Sequence, residues 1–315
     1  MTSDEWQPPG APIVILTALE LEYQAVRAHL TEAGLHRHRA GTRFETGRLG
    51  PGGARVALAL VGKGNHPAAV LAERAIAEFD PSAVIFAGIA GALRPDVGLG
   101  DIVVASHVYA YHGGTSRDDG FKARPRVWEI SHECDQVAHH VDRVGAWARR
   151  LPPGGPRPQV HFGPIAAGEV VQDSAISAQA QWVRQTYNDA LAIEMEAAGV
   201  AQAAHLNRSL PAVVVRGISD RADGTKAVTD GANWRQVAAA SAALFAVALA
   251  EELAHEESAR TGHRSGTDRK TPMGGTVRNI ATGNAHVGVQ AGTVHGGIHL
   301  TQPYQGSGPG AGAAS

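Results

Sequence analysis

The sequence has 315 residues, of which 43% are apolar and 5% aromatic, and its 28 Lys and Arg against 30 Asp and Glu give a net charge of −2 with histidine neutral. This balance excludes a global basic field, so we predict no nucleic acid partner and no membrane partner. The single cysteine, Cys134, excludes an internal disulfide and is typical of a cytoplasmic protein, which is the location we predict.

The chain opens with residues 1–11, where acids and prolines stand in place of the basic and apolar regions of a signal peptide, so we predict a disordered lead. Beyond it, apolar runs of strand length alternate with helical patterns. The predicted strands cover residues 12–17, 83–93, 100–114 and 161–171, with a hairpin over 42–62. The predicted helices cover residues 67–79, 132–151 and 174–187, and residues 188–256 close the domain as β-α-β-α.

This alternation predicts one α/β domain over residues 12–256, with three α/β/α layers and a central mixed, largely parallel sheet. The longest apolar tract, residues 237–253, contains Ser241 and ends in two glutamates, which indicates a buried helix and not a membrane span. Residues 112–128 show no clear periodicity. A loop of that length in a globular domain is uncommon unless it binds something.

Three carboxylates lie close together near the end of the predicted domain. The segment AIEMEAAGVA (192–201) carries Glu194 and Glu196 at the start of an alanine-rich helix, and VVVRGISDRADG (213–224) runs an apolar strand into Asp220. In open α/β sheets ligands bind at the carboxyl ends of strands. These segments are therefore our candidate active site.

Cleavage of a base from a ribose passes through a cation-like sugar and a base that must gain a proton, so it needs an acid near the base and anions near the sugar. We expect burial to keep Asp220 protonated as the acid. Glu196 can accept hydrogen bonds from ribose hydroxyls while Met195 packs on the sugar, and Glu22 can orient water. Each of these residues also has a purely structural explanation. Ser-Asp often caps the start of a helix, and the helix dipole favours Glu in the first turn.

Four segments together resemble the superfamily of nucleoside phosphorylases and methylthioadenosine/S-adenosylhomocysteine nucleosidases: TALELEYQAV, GIAGAL with the following GDIVVA, AIEMEA and VVRGISD. The resemblance spans roughly residues 12–253. It implies that Asp220 protonates purine N7, that Glu196 holds the ribose, and that Glu22 positions the nucleophile. It also implies a set of substrate-binding positions, namely Met195, Gly88, Ser219, Val171, Glu194 and Arg216.

Two departures from this superfamily bear on the reaction. Its phosphorylases hold inorganic phosphate with an arginine before the glycine turn and a serine or threonine after its first glycine, and here those positions are Phe86 and Ile89. We therefore expect water as the nucleophile. In GEVVQDS the methylthioadenosine enzymes offer an aromatic ring to the base, but this chain has Val170 and Val171, which argues against methylthioadenosine as substrate.

The segment YHGGTSRDDGFKARPRVW (111–128) resembles a form of this domain that is fused to signalling and defence modules, which implies cleavage of purine nucleotides, including ATP. Basic residues there and on other strand-end loops can bind a polyphosphate, although a solvated charged surface is the alternative. The candidate phosphate-binding residues are Lys63, Arg117, Lys122, Arg124, Arg221 and Lys226. The 16 histidines lack ligand spacing, so we predict no metal, and no motif indicates a cofactor.

After residue 256 the composition changes. We predict a flexible linker over 257–275, an amyloid-type signalling motif over 276–303 and a disordered tail over 304–315. The VQAG core of the motif resembles the receptor-interacting homotypic motif, which implies recruitment by a receptor that shares it; a disordered tail is the alternative. By resemblance we also expect a homo-oligomer. The chain is then either an effector switched on by assembly, a housekeeping purine nucleosidase or phosphorylase, or a binding module without catalysis.

Overall fold

A computed structural model describes residues 11–267 apart from 153, 155 and 156, and the fold below refers to these residues. The described residues up to His263 belong to one unit, and residues 264–267 end the last helix. The strands are β1 Ile13–Thr17, β2 Thr31–Arg37, β3 Arg43–Leu49, β4 Ala54–Leu60, β5 Ala83–Ala92, β6 Ile102–Ala110, β7 Gly114–Arg117, β8 Gly120–Ala123, β9 Arg126–Glu129, β10 Val160–Ala167, β11 Ala192–Glu194 and β12 Ala212–Asp220. The helices are α1 Glu20–Arg27, α2 Asn65–Phe79, α3 His132–Val144, α4 Ala178–Thr186, α5 Ala197–Leu206, α6 Lys226–Gly231 and α7 Trp234–Thr267.

The main sheet has the strand order β11-β10-β6-β12-β5-β1-β4-β3-β2, and β9 pairs with β6 outside this path. Strands β4, β1, β5 and β12 run parallel to their neighbours in that series, whereas β12 and β6 are antiparallel. Strand β11 also pairs with β5. The sheet therefore contains a closed ring of five paired strands, β5, β12, β6, β10 and β11. The predicted α/β fold with a central mixed sheet is confirmed.

Alternation along the central strand explains the layers. On β1, Val14 and Leu16 pack with α2 and α5 on one face, and Ile13 and Ile15 pack with α1, α3 and α7 on the other. All four side chains are fully buried. A central strand covered on both faces needs an unbroken apolar sequence, and PIVILT supplies it.

Helix α7 is the one helix of the described residues that is long and apolar enough to cross a membrane, with a mean hydropathy of 1.7 over its most apolar window. Of that window, 67% is buried inside the protein. Phe245 and Leu249 are fully buried in the core beneath the sheet. The helix therefore packs as the core element that its composition predicts.

Several predicted boundaries were wrong. The segment predicted as a loop, 112–128, contains β7, β8 and most of β9. The helix predicted over 132–151 ends at Val144, because Gly145 adopts a left-handed conformation and a 3-10 turn, Ala146–Arg150, follows. Strand β2 was not predicted, and α7 continues to Thr267, within the segment predicted as a linker.

Candidate active site

A cavity of about 140 Å³ lies at the carboxyl ends of β1, β5 and β12. Its walls bring together most of the predicted site residues: Glu22, Lys63, Val171, Glu194, Met195, Glu196, Ser219, Asp220 and Lys226. A larger groove of about 730 Å³ runs between β9 and α5, but Glu129 is the only carboxylate among its described lining residues. The smaller cavity, with four carboxylates in the described part of its wall, is therefore the candidate active site.

Arg216 and Gly88 do not line this cavity but approach its carboxylates, Glu194 and Glu22. Arg216 and Gly88 are register partners on the parallel strands β12 and β5, and the Arg216 side chain is completely buried. A Cβ atom on residue 88 would lie 2.1 Å from Nη1 of Arg216 and 2.7 Å from Oε1 of Glu22. Glycine is therefore required here because a guanidinium and a carboxylate both pack against the backbone.

The guanidinium of Arg216 lies over the ring of Phe86, 4.0 Å from the ring centroid. Its Nη2 donates to Glu194, whereas Nε and Nη1 have no hydrogen-bond partner among the described residues. Phe86 occupies the position where the phosphorylases place a phosphate-binding arginine. In this protein the aromatic ring supports a buried arginine from the neighbouring strand.

Glu22 is held in one orientation by three backbone amides. Oε2 accepts hydrogen bonds from the N–H groups of Ala18 and Leu19, both at 2.8 Å, and Oε1 accepts one from Ile89, also at 2.8 Å. Burial raises the pKa of Glu22, while Arg216 and the three amides act against that rise. The contact with Ile89 ties α1 to β5, which a helix-capping role alone does not require.

The two glutamates of the AIEMEA segment have different environments. Glu194 accepts hydrogen bonds from the backbone N–H groups of Glu196 and Ala197, so it serves the start of α5. Burial raises the pKa of Glu194 to about 7, against the attraction of Arg216. Glu196 accepts a bond of 3.0 Å from the N–H of Gly64 and makes no side-chain cap. Its second oxygen lies 3.9 Å from Nη2 of Arg216, and the residue lines the cavity.

Asp220 is the last residue of β12, at a register shift of its pairing with β5. Oδ1 accepts a bond from the N–H of Ala222 at 3.0 Å, and Oδ2 accepts bonds from Ser219 Oγ at 2.9 Å and from Lys226 Nζ at 2.7 Å. No helix begins directly after Asp220, so the capping alternative does not apply. The Lys226 ammonium group is a partner of Asp220 that the sequence did not predict.

The segment 168–172 forms a roof over the cavity, and we call it the roof segment. Val170 and Val171 line the cavity with side chains that are 43% and 57% exposed, and Gln172 lines it from a buried position. No aromatic residue occurs in this segment. The departure seen in the sequence therefore falls on the cavity wall.

The candidate phosphate-binding residues separate into two groups. Lys63 and Lys226 line the cavity. The other four, Arg117, Lys122, Arg124 and Arg221, are exposed and are not among its lining residues. Lys122 pairs with Asp119 at 2.9 Å, and Arg124 donates to Thr115 Oγ1 at 3.2 Å, which fits the solvated-surface alternative.

Sequence reasoning missed two polar side chains of the cavity wall. Gln172 and Arg235 both line the cavity, the first from the roof segment and the second from the start of α7. Arg235 follows the predicted acid Asp220 by fifteen positions and comes after an irregular stretch and the short helix α6. Nothing in its local sequence indicates that α7 begins beside the cavity.

Comparison with known proteins identifies the family of this chain. A methylthioadenosine/S-adenosylhomocysteine nucleosidase of Maridesulfovibrio salexigens is 30% identical over 214 residues, which cover 67% of this chain and 86% of the relative. The ATP nucleosidase Cap17 of Escherichia coli is 27% identical over 243 residues. That match covers 68% of this chain and 46% of Cap17, so the chain spans about half of that relative.

Solved structures show the same fold. The methylthioadenosine/S-adenosylhomocysteine nucleosidase of Neisseria meningitidis, solved with methylthio-immucillin-A, has a TM-score of 0.65 at 24% identity and covers 76% of this chain and 99% of its own. The futalosine hydrolase of Helicobacter pylori has a TM-score of 0.65 at 23% identity and covers 77% of this chain and 98% of its own. Because residues 12–251 match the family described as the phosphorylase superfamily, this protein belongs to that superfamily.

Proposed function

We propose that this protein hydrolyses the N-glycosidic bond of a purine nucleoside or nucleotide. The observation that supports it is that two carboxylates, Glu22 and Asp220, line one cavity at separate positions along the same strand. Asp220 packs against Gly91 and Glu22 against Gly88, on the same strand. Three residues of extended strand span about 10 Å, which leaves room for a base and a sugar between the two side chains.

In the proposed reaction the bond between C1′ of the ribose and the purine nitrogen breaks, and its electron pair leaves with the base. Asp220 donates a proton to the base, while water adds to C1′ and gives its proton to Glu22. Glu196 accepts hydrogen bonds from the ribose hydroxyls and, with Glu194, supplies negative charge near the cationic sugar. The products are a free purine and the ribose or its 5′-substituted form.

Water is the proposed nucleophile because the positions that hold phosphate in phosphorylases carry apolar side chains. Phe86 packs against Arg216, and the side chain of Ile89 lines the cavity. Carboxylates also surround Arg216, which makes the site unfavourable for an inorganic phosphate dianion. The names of the relatives, nucleosidases and a hydrolase, support the same choice.

The test is a product assay with the purified full chain against adenosine, guanosine, inosine, methylthioadenosine, AMP and ATP. We expect release of a free purine base, at a rate that inorganic phosphate does not change, together with a reducing sugar. A phosphate-dependent rate with ribose 1-phosphate as product would identify a phosphorylase. Failure to release a base from any of these compounds would contradict the proposal.

A nucleotide such as ATP is our proposed substrate within this class. Lys63 is exposed, lines the cavity and directly precedes Gly64, whose N–H binds the ribose-holding Glu196. A cation at that end of the cavity suits a 5′-phosphate, and the name of Cap17 supports the same class. Lys63→Met should lower kcat/KM for ATP at least tenfold and leave adenosine almost unchanged, whereas the matched change Lys122→Met on the exposed hairpin should affect neither.

We propose further that the enzyme is a cytoplasmic homo-oligomeric effector recruited by a receptor that shares its C-terminal motif. The supporting observation is the sequence of residues 276–303, which lie outside the described residues. Deletion of 276–303 should abolish clustering-dependent activity, and a peptide of this segment should form fibrils. Equal activity of the deleted and full chains under induced clustering would favour the housekeeping nucleosidase.

A further inference from the structure

Asn65 joins two separate parts of the cavity wall through its side chain. Nδ2 donates to the carbonyl of Gly168 at 2.8 Å and to Oε1 of Glu169 at 2.9 Å. Oδ1 accepts a bond of 3.0 Å from the N–H of Gly199, in the first turn of α5. The amide therefore uses both its donors and one acceptor, although Asn65 itself is not among the lining residues of the cavity.

The two parts joined by Asn65 carry residues of the site. Gly168 and Glu169 open the roof segment, which leads to Val171 and Gln172 over the cavity. Helix α5 starts directly after Glu196, whose Oε1 accepts the N–H of Gly64, the neighbour of Asn65. Residues 64 and 65 thus connect the roof with the carboxylate that we assign to the ribose.

The roof segment has no regular secondary structure, so a few bonds determine its position. Besides the two bonds from Asn65, the N–H of Gly168 donates to the carbonyl of Glu194 at 3.0 Å, and the N–H of Glu169 donates to Nδ1 of His112 at 3.0 Å. Oε1 of Glu169 also lies 3.7 Å from Nδ1 of His66, and Gln172 Nε2 donates to the carbonyl of Ser174 at 3.1 Å. Removal of the Asn65 donors therefore takes away a large share of the contacts that hold this loop.

Asn65 is in turn fixed by the backbone around it. It is the first residue of α2, and a Cβ atom on residue 199 would lie 2.0 Å from its carbonyl oxygen. Helices α2 and α5 are thus in direct backbone contact at this point, which only glycine at 199 permits. The backbone of residue 65 therefore cannot shift away from the roof segment without separating two packed helices.

We propose that Asn65 is a positioning residue that holds the roof segment closed over the bound nucleoside. This inference rests on the proposed function, because the role of Asn65 is measured by how tightly the cavity binds a nucleoside. Asn65 does not itself line the cavity. Its effect passes through Gly168 and Glu169 to the side chains that cover the ligand.

The sharpest test is Asn65→Asp, which keeps the shape and the acceptor for Gly199 but replaces the donor by an oxygen. That oxygen would face the Gly168 carbonyl and the Glu169 carboxylate. Repulsion between oxygen atoms would then replace the two hydrogen bonds that hold the roof segment. We expect KM for the best nucleoside or nucleotide to rise about tenfold or more, with a smaller change in kcat. The double variant Asn65→Asp with Glu169→Gln restores a donor and acceptor pair and should recover most of the affinity.

Asn207→Asp is the matched control. Asn207 also donates from Nδ2 to a glutamate, Glu73, and to a backbone carbonyl, that of Ala203, but neither it nor Glu73 lines the cavity. We expect an unchanged KM for this variant. A general loss of packing would instead lower the melting temperature of both variants and reduce kcat in proportion to the folded fraction.

Calorimetric titration of the same variants with adenosine and ATP separates this inference from the proposed function. If the wild type binds a nucleoside but releases no base, the proposed reaction fails while the affinities still test Asn65. If the wild type binds neither ligand, both fail together.

An Asn65→Asp variant with wild-type KM and affinity, or a double variant no better than the single one, would overturn the role of Asn65. Should Asn65→Asp not fold, Glu169→Ala removes one of the two bonds and should raise KM in the same direction, while Glu169→Gln keeps an acceptor and should not.

Discussion

Arg216 donates a hydrogen bond from Nη2 to Oε2 of Glu194, and neither side chain is more than 2% exposed. The same nitrogen lies 3.9 Å from Glu196, and the guanidinium also lowers the pKa of Glu22 against the effect of burial. One buried cation thus acts on all three glutamates of the cavity. Removal of one partner of such a group leaves buried charge without compensation.

Arg216→Met should make stability strongly dependent on pH. Burial already raises the pKa of Glu194 to about 7, and without Arg216 it rises further. A carboxylate whose pKa is raised in the folded state contributes stability at low pH, and that contribution is lost as pH rises through the folded value. The melting temperature should therefore fall little at pH 5 and by about 10 °C at pH 8.

The control for this prediction is Arg27→Met. Arg27 pairs with Glu45 at 2.7 Å, but its side chain is 47% exposed, so solvent screens the pair. This variant should shift the melting temperature slightly and equally at both pH values. An equal loss at pH 5 and pH 8 in Arg216→Met would show that packing, and not the charge of Glu194, accounts for the effect.

Gly88→Ala should disrupt the site through a single methyl group. The added Cβ would lie 2.1 Å from Nη1 of Arg216, which is completely buried and has little room to move. Overpacking of this kind costs about 1–3 kcal/mol, and the displaced Arg216 and Glu22 should reduce kcat more than a hundredfold. Gly52→Ala is the matched control, since a Cβ there meets nothing within 4 Å. Denaturant unfolding and kinetics measure the two effects, and full activity of Gly88→Ala would contradict the close packing.

Much of the site could be predicted from the sequence because its carboxylates lie at or just after the ends of strands. Glu22 comes after β1, Glu194 ends β11 and Asp220 ends β12, so an alternating α/β pattern is enough to bring them to one edge. The sequence predicted a strand over residues 83–93 that ends in a glycine-rich turn. The structure places these glycines within β5, where Gly88 and Gly91 make room for neighbouring side chains.

The remaining parts depend on contacts between residues far apart in the chain. Asn65 is hydrogen-bonded to Gly168, which lies 103 positions away in the chain, and no local sequence pattern predicts such a pair. Strands β7 and β8 have four residues each and are mostly exposed, so they carry no alternation that could reveal them. Lys226 was predicted to bind phosphate as one of the basic residues on strand-end loops, and the structure pairs it with Asp220, six positions away.

Glu22→Gln should remove the acid limb of the pH profile. Burial raises the pKa of Glu22, so the wild-type rate should fall as pH decreases through a value above that of an ordinary glutamate. The amide cannot accept the proton of water, and kcat should fall about a hundredfold or more with a residual rate that no longer varies in this range. Glu20→Gln, an exposed glutamate of the same helix, should behave as the wild type. Persistence of the wild-type acid limb in Glu22→Gln would assign that limb to another group.

Asp220→Asn should separate catalysis from binding. The amide keeps the size of the side chain and can still accept the hydrogen bond of Ser219, but it cannot transfer a proton to the base, so kcat should fall about a hundredfold or more. Affinity for the nucleoside, measured by calorimetry, should change much less. A p-nitrophenol leaving group departs without being protonated, so Asp220→Asn should hydrolyse a p-nitrophenyl riboside nearly as fast as the wild type does.

Asp223→Asn, which alters a carboxylate bonded to Thr225 in the next loop, should leave all three measurements unchanged. Equal losses with the purine substrate and with the p-nitrophenyl riboside would show that Asp220 acts on the sugar and not as the acid of the leaving base.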